Sequence, residues 1–189
     1  LLGQNVNSYN YNDKKFPELL DEVAKVDGVK RIRYTSPHPQ DINEELLEIM
    51  AEHDNICNYI HLPLQAGSNR ILKRMNRTYT KEDFIELAEK IRSFLPGVGI
   101  STDIIVGFPG ETEEEFNETL EVMRKVKFDS AFTFKYSPRK GTKAIEYDDQ
   151  LEEDKKQIRL TKVIELQKFN TELRNQSYVN KVVDVLIEK

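Results

Sequence analysis

Three polar side chains stand out for what their types and settings could do. Gln65 follows an apolar, β-rich run and precedes Gly67 and Ser68. Its amide could bond a sugar hydroxyl while the glycine permits close approach, or the segment could be a plain turn. Asp103 lies inside the apolar run from Gly99 to Val106, where an unpaired carboxylate is costly. It therefore needs either a buried structural partner or a ligand hydroxyl. Arg70, Lys73, Arg74 and Arg77 cluster after the third apolar run. A guanidinium there could clamp a carboxylate or phosphate through paired hydrogen bonds, or the four could line a solvated helix face. Gly107-Phe108-Pro109-Gly110, just ahead of Thr112, could lay backbone N–H groups against an anionic ligand or simply turn the chain into a helix.

Metal chemistry has less to work with. The single cysteine, Cys57, builds neither a disulfide framework nor a cysteine metal site, and suits a reducing cytoplasm. His38 sits between two prolines and His61 within an apolar run, without the i,i+4 spacing of a helical zinc motif. Packing or hydrogen bonding is expected of both.

These residues need elements to position them. Five β-branched or aromatic runs predict strands: Leu1 to Val6, Val29 to Thr35, Cys57 to Leu64, Gly99 to Val106, and Phe128 to Tyr136. Helical periodicity fills the intervals, with capping-box pairs at Asp41/Glu44, Thr80/Asp83 and Thr112/Glu115. Alternating strands and helices imply an α/β fold with a parallel sheet, open or curled into a barrel. The loops after the strands then share its carboxyl edge: 3–8, 36–39, 65–69, 107–112 and 137–142. Leu151 to about Asn175 predicts a long amphipathic helix with Leu160, Val163, Ile164, Phe169 and Leu173 on its apolar face. Val179 to Ile187 predicts a final strand.

Composition sets the outer limits. With 38% hydrophobic and 32% charged residues and a net charge of −5 in 189 residues, the sequence describes a soluble globular domain, perhaps with the beginning of a second. No apolar run approaches the roughly 20 residues of a membrane helix. The start at Leu1-Leu2-Gly3-Gln4-Asn5 shows no targeting peptide and reads as a cut end. The acidic balance argues against a surface devoted wholly to nucleic acid.

Taken together, several segments resemble the successive signatures of the radical S-adenosylmethionine methylthiotransferases. They are Leu2-Gly3-Gln4-Asn5-Val6-Asn7-Ser8-Tyr9, Ile60-His61-Leu62-Pro63-Leu64-Gln65-Ala66-Gly67-Ser68, Met75-Asn76-Arg77, Ser101 through Thr112, and Ser137-Pro138-Arg139-Lys140-Gly141-Thr142. The first is most similar to members acting on N(6)-dimethylallyladenosine in tRNA beside the anticodon. Relatives acting on threonylcarbamoyladenosine or on a ribosomal protein are the alternatives. The resemblance implies a partial (βα) barrel over 1–145, a connecting helix over 146–177 and the start of a TRAM-like β-domain over 178–189. It also implies that the chain begins after the cysteine triplet of the parent enzyme. The implied chemistry uses S-adenosylmethionine and two 4Fe-4S clusters in the parent, none bound by this chain. A flavodoxin- or ferredoxin-type electron donor and a tRNA substrate are expected in the cytoplasm, with no membrane partner.

Matched position by position, the resemblance puts Gln65 and Asp103 at the ribose of S-adenosylmethionine and Arg77 at its carboxylate. Val106 and Gly107 fall under the adenine or the methionyl part, and Ser68 and Ser137 either join them or only shape their loops. Two competing readings are a βα-barrel lyase or aldolase, for which Lys135 is the one lysine at a strand end, and a non-catalytic RNA-binding module built on the basic cluster.

Overall fold

The strand from Gly99 to Val106 is the axis on which the rest is assembled. The computed structural model describes residues 1–35, 37–183, 185 and 187. In it β3 (Tyr59–His61), β4 (Gly99–Val106) and β5 (Ser130–Lys135) form a parallel sheet in that order. A small antiparallel hairpin, β1 (Asn10–Tyr11) with β2 (Lys14–Lys15), precedes them. It turns through Asn12 and Asp13, both at positive φ, the geometry of a tight hairpin turn. The helices are α1 (Phe16–Ala24), α2 (Glu44–Glu52), α3 (Asn69–Arg74), α4 (Lys81–Phe94), α5 (Glu113–Val126) and α6 (Glu153–Gln176).

Of the five predicted strands, three form ladders and two do not. Leu1 to Val6 is not a strand: Val6–Ser8 is a 3-10 turn. The Leu1 amino group nevertheless donates to the Arg33 carbonyl at 2.6 Å, and the Thr35 N–H returns to the Leu1 carbonyl at 3.2 Å. Val29 to Thr35 keeps one parallel bridge, Ile32 to Ile56. The spatial order of a βα unit is therefore preserved without a continuous ladder. Gly3, Gln4 and Asn5 interrupt the first segment, and Gly28 and Pro37 flank the second, which leaves too short a run for regular pairing. Ser36 lies outside the described residues.

Two of the three capping boxes form as expected. Thr80 accepts the Asp83 N–H at 3.1 Å and Asp83 accepts the Thr80 N–H at 2.9 Å. Thr112 and Glu115 exchange the same pair at 3.2 and 2.9 Å. The third is displaced: α2 is capped by Asn43, whose Oδ1 accepts the Leu46 N–H at 2.9 Å. Asp41 is consumed by the 3-10 turn Pro39–Asp41 and accepts the Ser8 hydroxyl, which moves the helix start two residues on.

The long helix arrives where predicted but presents a different face. Its buried residues are Lys156, Arg159, Val163, Gln167 and Asn170, while Phe169 and Leu173 are exposed. This inward face is polar because it meets backbone carbonyls at the ends of other elements. Gln167 donates to the Phe128 carbonyl at 2.9 Å, Asn170 to the Met123 carbonyl in the last turn of α5 at 3.2 Å, and Thr171 to the Asp129 carbonyl at 3.0 Å. Backbone carbonyls in such connections and helix ends need hydrogen-bond donors when buried, and the polar side chains of α6 supply them. The predicted strand over 179–187 is not formed by its described residues, and Asp184 and Leu186 lie outside them.

The sheet has two different sides. Ile100, Thr102, Ile104 and Val106 are buried, in a core shared with Phe84, Ala88 and Ile91 of α4, Phe116 and Met123 of α5, and Val163 of α6. On the opposite side the register aligns Tyr59 with Gly99 and His61 with Ser101, and Ser101, Asp103 and Ile105 with Ser130, Phe132 and Phe134. The Phe132 and Phe134 rings are 57% and 52% exposed, so this side is open.

Gly67 fixes the third loop against α5. A Cβ there would lie 2.4 Å from the Thr119 Cα and 2.7 Å from the Glu118 carbonyl oxygen. The close approach that this glycine permits is therefore to the protein's own backbone rather than to a ligand. Gly67→Ala is expected to lower the unfolding free energy by about 1–3 kcal/mol, as overpacking against immovable backbone does; chemical denaturation at constant m-value measures it.

Candidate functional site

The carboxyl ends of β3 and β4 bring Gln65 and Asp103 together. The Gln65 N–H donates to the Asp103 carbonyl at 2.8 Å, and the Ile105 N–H donates to the Gln65 carbonyl at 2.9 Å. Gln65 adopts a left-handed conformation, φ 71°, that non-glycine residues rarely take. It is only 7% exposed, yet its side-chain amide makes no hydrogen bond to any described residue. A largely buried residue held in a left-handed turn, with an amide that no protein group engages, is suited to face a ligand.

Asp103 sits beside it on the open side of β4, half-buried, with Oδ2 3.3 Å from Nε2 of His61. Tyr79 ties the loop carrying Arg77 to the same place. Its hydroxyl donates to the Pro63 and Leu64 carbonyls at 3.0 and 3.1 Å, just before Gln65. Burial pushes the Tyr79 phenol up to about 12, with the Arg77 charge lowering it and the Asp103 charge raising it further, so it stays a donor at neutral pH. Both charges therefore lie near enough to the Tyr79 hydroxyl to act on it. Arg77 itself is exposed and makes no side-chain hydrogen bond or ion pair among the described residues.

Two others of the basic cluster are engaged within the protein. Arg70 donates to Glu115 through Nε at 2.7 Å and Nη2 at 2.6 Å. Arg74 pairs with Asp149 at 2.8 Å and stacks on Tyr147. The glycine-rich turn is likewise closed on itself: the Gly107 N–H donates to Glu111 Oε2 and the Gly110 N–H to the Asp149 carbonyl, each at 2.7 Å. These two N–H groups are not offered to an anion.

The other candidates divide in the same way. The Ser68 hydroxyl caps α3 and donates to Glu115 at 3.0 Å, so its role here is to shape the loop. Val106 shares the helix-covered side with Ile104 and is fully buried, leaving only its backbone at the strand end. Gly107, at φ 72°, is held beneath Lys156, whose Cγ a Cβ would meet at 2.4 Å. Ser137 is exposed beyond β5, and no hydrogen bond of its side chain links it to Gln65 or Asp103.

A family model described as the radical SAM superfamily matches residues 2–123. The chain belongs to that superfamily. Its similarity to curated proteins is close: it is 50% identical to the tRNA-2-methylthio-N(6)-dimethylallyladenosine synthase of Clostridium tetani, 51% to that of Finegoldia magna and 49% to that of Acetivibrio thermocellus. Each match covers the whole of this chain but 42%, 41% and 40% of the respective relative. The chain thus spans about two fifths of the length of these relatives. Among solved structures, the coproporphyrinogen III oxidase of Escherichia coli, described as a radical SAM enzyme, superposes with a TM-score of 0.57 at 18% identity, covering 74% of this chain and 34% of that one. That likeness is one of fold.

The radical SAM superfamily implies S-adenosylmethionine and an iron-sulfur cluster, and the residues present fit the first. A free amide, a carboxylate on the open sheet and an unpaired guanidinium match the hydroxyls and the carboxylate of that molecule. They do not fit the cluster: Cys57 is the only cysteine, and no group of three metal-ligating side chains exists among the described residues.

Sequence reasoning missed the side chains around Asp103. Tyr59, Phe132 and Phe134 drew no attention, and the hydrogen bonding expected of His61 was given no partner. The signal was the period-two alternation of β3 and β4, which puts Tyr59, His61, Ser101 and Asp103 on one side of the sheet. Glu111, Glu115 and Arg159 had no such signal, since their pairings join distant segments.

Proposed function

We propose that this radical SAM domain belongs to an enzyme that methylthiolates N(6)-dimethylallyladenosine in tRNA, and that Gln65, Asp103 and Arg77 hold S-adenosylmethionine at the carboxyl edge of the sheet. The observation that carries the site is the amide of the largely buried Gln65, engaged by no described residue and fixed in a left-handed turn beside Asp103. The substrate rests on the names of relatives about half identical across the entire chain.

Asp103 would accept hydrogen bonds from the ribose hydroxyls, the Gln65 amide could accept from or donate to them, and Arg77 would neutralise the methionyl carboxylate. The chemistry that S-adenosylmethionine supplies when bound is radical hydrogen abstraction and methyl donation. The chain's own contribution is position and charge. The exposed rings of Phe132 and Phe134, on the same side of the sheet as Asp103, offer a stacking surface to a nucleobase. The cluster ligands belong to parts of the enzyme other than this chain.

The same reading includes two 4Fe-4S clusters, a flavodoxin or ferredoxin as electron donor and a cytoplasmic setting. No described helix is long and apolar enough to cross a membrane. It also includes a barrel over 1–145, a connecting helix over 146–177 and the beginning of a TRAM-like domain over 178–189.

The test uses the full-length protein, reconstituted anaerobically and incubated with S-adenosylmethionine and dimethylallyl-modified tRNA, followed by mass spectrometry of the nucleosides. The methylthio nucleoside is expected, with its formation slowed about 10- to 100-fold in Arg77→Ala and in Asp103→Ala, the usual scale for losing a hydrogen bond to a charged group. S-adenosylmethionine cleavage without modified tRNA would move the substrate to that of a relative; no cleavage at all would sink the proposal.

A further inference from the structure

Asp103 is the last member of a hydrogen-bonded row that crosses the open side of the sheet. The Tyr59 hydroxyl meets Ser101 Oγ, Ser101 Oγ lies 2.8 Å from His61 Nδ1, and His61 Nε2 lies 3.3 Å from Asp103 Oδ2. The row exists because β3 and β4 are parallel and in register, with His61 beside Ser101. The His61 ring is also held from the side by Phe132, edge to face, with centroids 6.0 Å apart.

The direction of each bond follows from what each group can do. An ionised carboxylate only accepts, so the bond to Asp103 requires the proton on Nε2. A neutral imidazole with Nε2–H has Nδ1 as an acceptor, so the Ser101 hydroxyl must donate to it. The Ser101 oxygen is then free to accept, and the Tyr59 hydroxyl donates. Every donor in the row points the same way, from Tyr59 towards Asp103.

We infer that His61 is a positioning residue for Asp103: the row Tyr59–Ser101–His61 fixes its Nε2–H tautomer and engages Oδ2, which leaves Oδ1 to receive a ligand hydroxyl. The inference rests on the reading that Asp103 meets the ribose of S-adenosylmethionine, and extends it to three residues that do not touch the ligand themselves. A carboxylate bound through one oxygen has one torsional choice rather than many, so its free oxygen is ready before the ligand arrives.

The experiment measures equilibrium binding of S-adenosylhomocysteine, which carries the same ribose, to the full-length, cluster-loaded protein. His61→Leu retains bulk against Phe132 but has no donor, and is expected to weaken binding about tenfold. His61→Gln, whose amide can offer an N–H to the same carboxylate, is expected to recover most of that loss, which a mere packing role would not predict. In an Asp103→Ala background, His61→Leu is expected to add nothing, because the two residues act through one interaction. Ser101→Ala leaves the ring in place and frees its tautomer, and is expected to weaken binding about threefold, so the inference stays testable if His61→Leu does not fold. Nitrogen-15 NMR of the imidazole is expected to show the Nε2–H tautomer. Wild-type binding by both His61→Leu and Ser101→Ala, beside weakened binding by Asp103→Ala, would overturn the positioning role alone. So would additive losses in the double variant, or an Nδ1–H tautomer. Wild-type binding by Asp103→Ala would instead remove the ribose reading, and the inference with it.

Discussion

Arg159→Met is expected to destabilise the domain by about 3–5 kcal/mol, the scale for removing one partner of a buried ion pair. Arg159 of α6 and Glu111 of the glycine-rich turn are paired at 2.6 Å, with side chains only 6% and 1% exposed. The same guanidinium group donates to the Glu111 carbonyl at 3.0 Å and lies over the Phe116 ring. Glu111 in turn accepts the Gly107 N–H at 2.7 Å, so the pair ties the end of β4 to the long helix. Methionine keeps the bulk and deletes the charge, leaving a carboxylate buried without its cation. The double variant Arg159→Met/Glu111→Gln removes both charges and is expected to lose less than the single one. Urea unfolding of the three proteins is the measurement, and a deficit below about 1 kcal/mol in Arg159→Met would show the pair to be dispensable. The pH response gives the sign a second check. Burial already pushes the Glu111 carboxyl above its ordinary 4.5, against the opposing effects of the Gly107 N–H and Arg159. Without the arginine it rises further, and a raised carboxyl is most compatible with the fold when protonated. The deficit of Arg159→Met should therefore shrink as pH falls through the folded-state value towards 4.5 and be largest above it.

Glu115 should behave in the opposite sense, and its loss of stability should appear on acidification. Burial by itself would raise this carboxyl, but hydrogen bonds from Arg70, from the Thr112 N–H and from Ser68 outweigh that effect and hold it at about 2. Its folded-state value thus lies below the ordinary 4.5, so the stability it contributes is complete above pH 4.5 and is lost as pH falls from there to about 2. The full shift corresponds to up to about 3 kcal/mol at neutral pH. In Glu115→Gln the domain should be less stable at pH 7 by up to that amount, and this contribution to the acid slope should vanish. Unfolding free energies of the two proteins at pH 7, 4 and 3 decide the matter: parallel curves would show that Glu115 is not tied as described. The consequence reaches the site, because Glu115 gathers Arg70 of α3, Ser68 of the third loop and Thr112 of α5 into one junction beneath the loops.

Neighbouring residues told the sequence reader a great deal. The caps at Thr80 and Thr112 form as read because a capping box is closed within four residues and needs nothing from elsewhere. The strand Gly99 to Val106 is present to the residue, since its β-branched residues are bounded by Gly97 and Gly99 before and by Gly107 and Pro109 after. The order of strands and helices, the carboxyl edge as the place for a site, and Gln65 and Asp103 as its candidates were all visible before any coordinates. The motifs around them also carried the family.

What only the tertiary structure decided depends on residues far apart in the chain. The cap of α2 moved to Asn43 because Asp41 was claimed by a turn and by Ser8, 33 residues earlier. The buried side of α6 proved polar because it meets carbonyls and carboxylates 39 to 48 residues away, which periodicity along one helix cannot register. Of four clustered cations, Arg70 and Arg74 were taken by Glu115 and Asp149 and only Arg77 and Lys73 were left without an ion pair among the described residues. His61 became a partner of Asp103 only when two parallel strands fell into register. Local signals fix where elements begin and what they are made of, whereas the choice of partner for a charged or polar side chain is made by packing, after the chain has closed on itself.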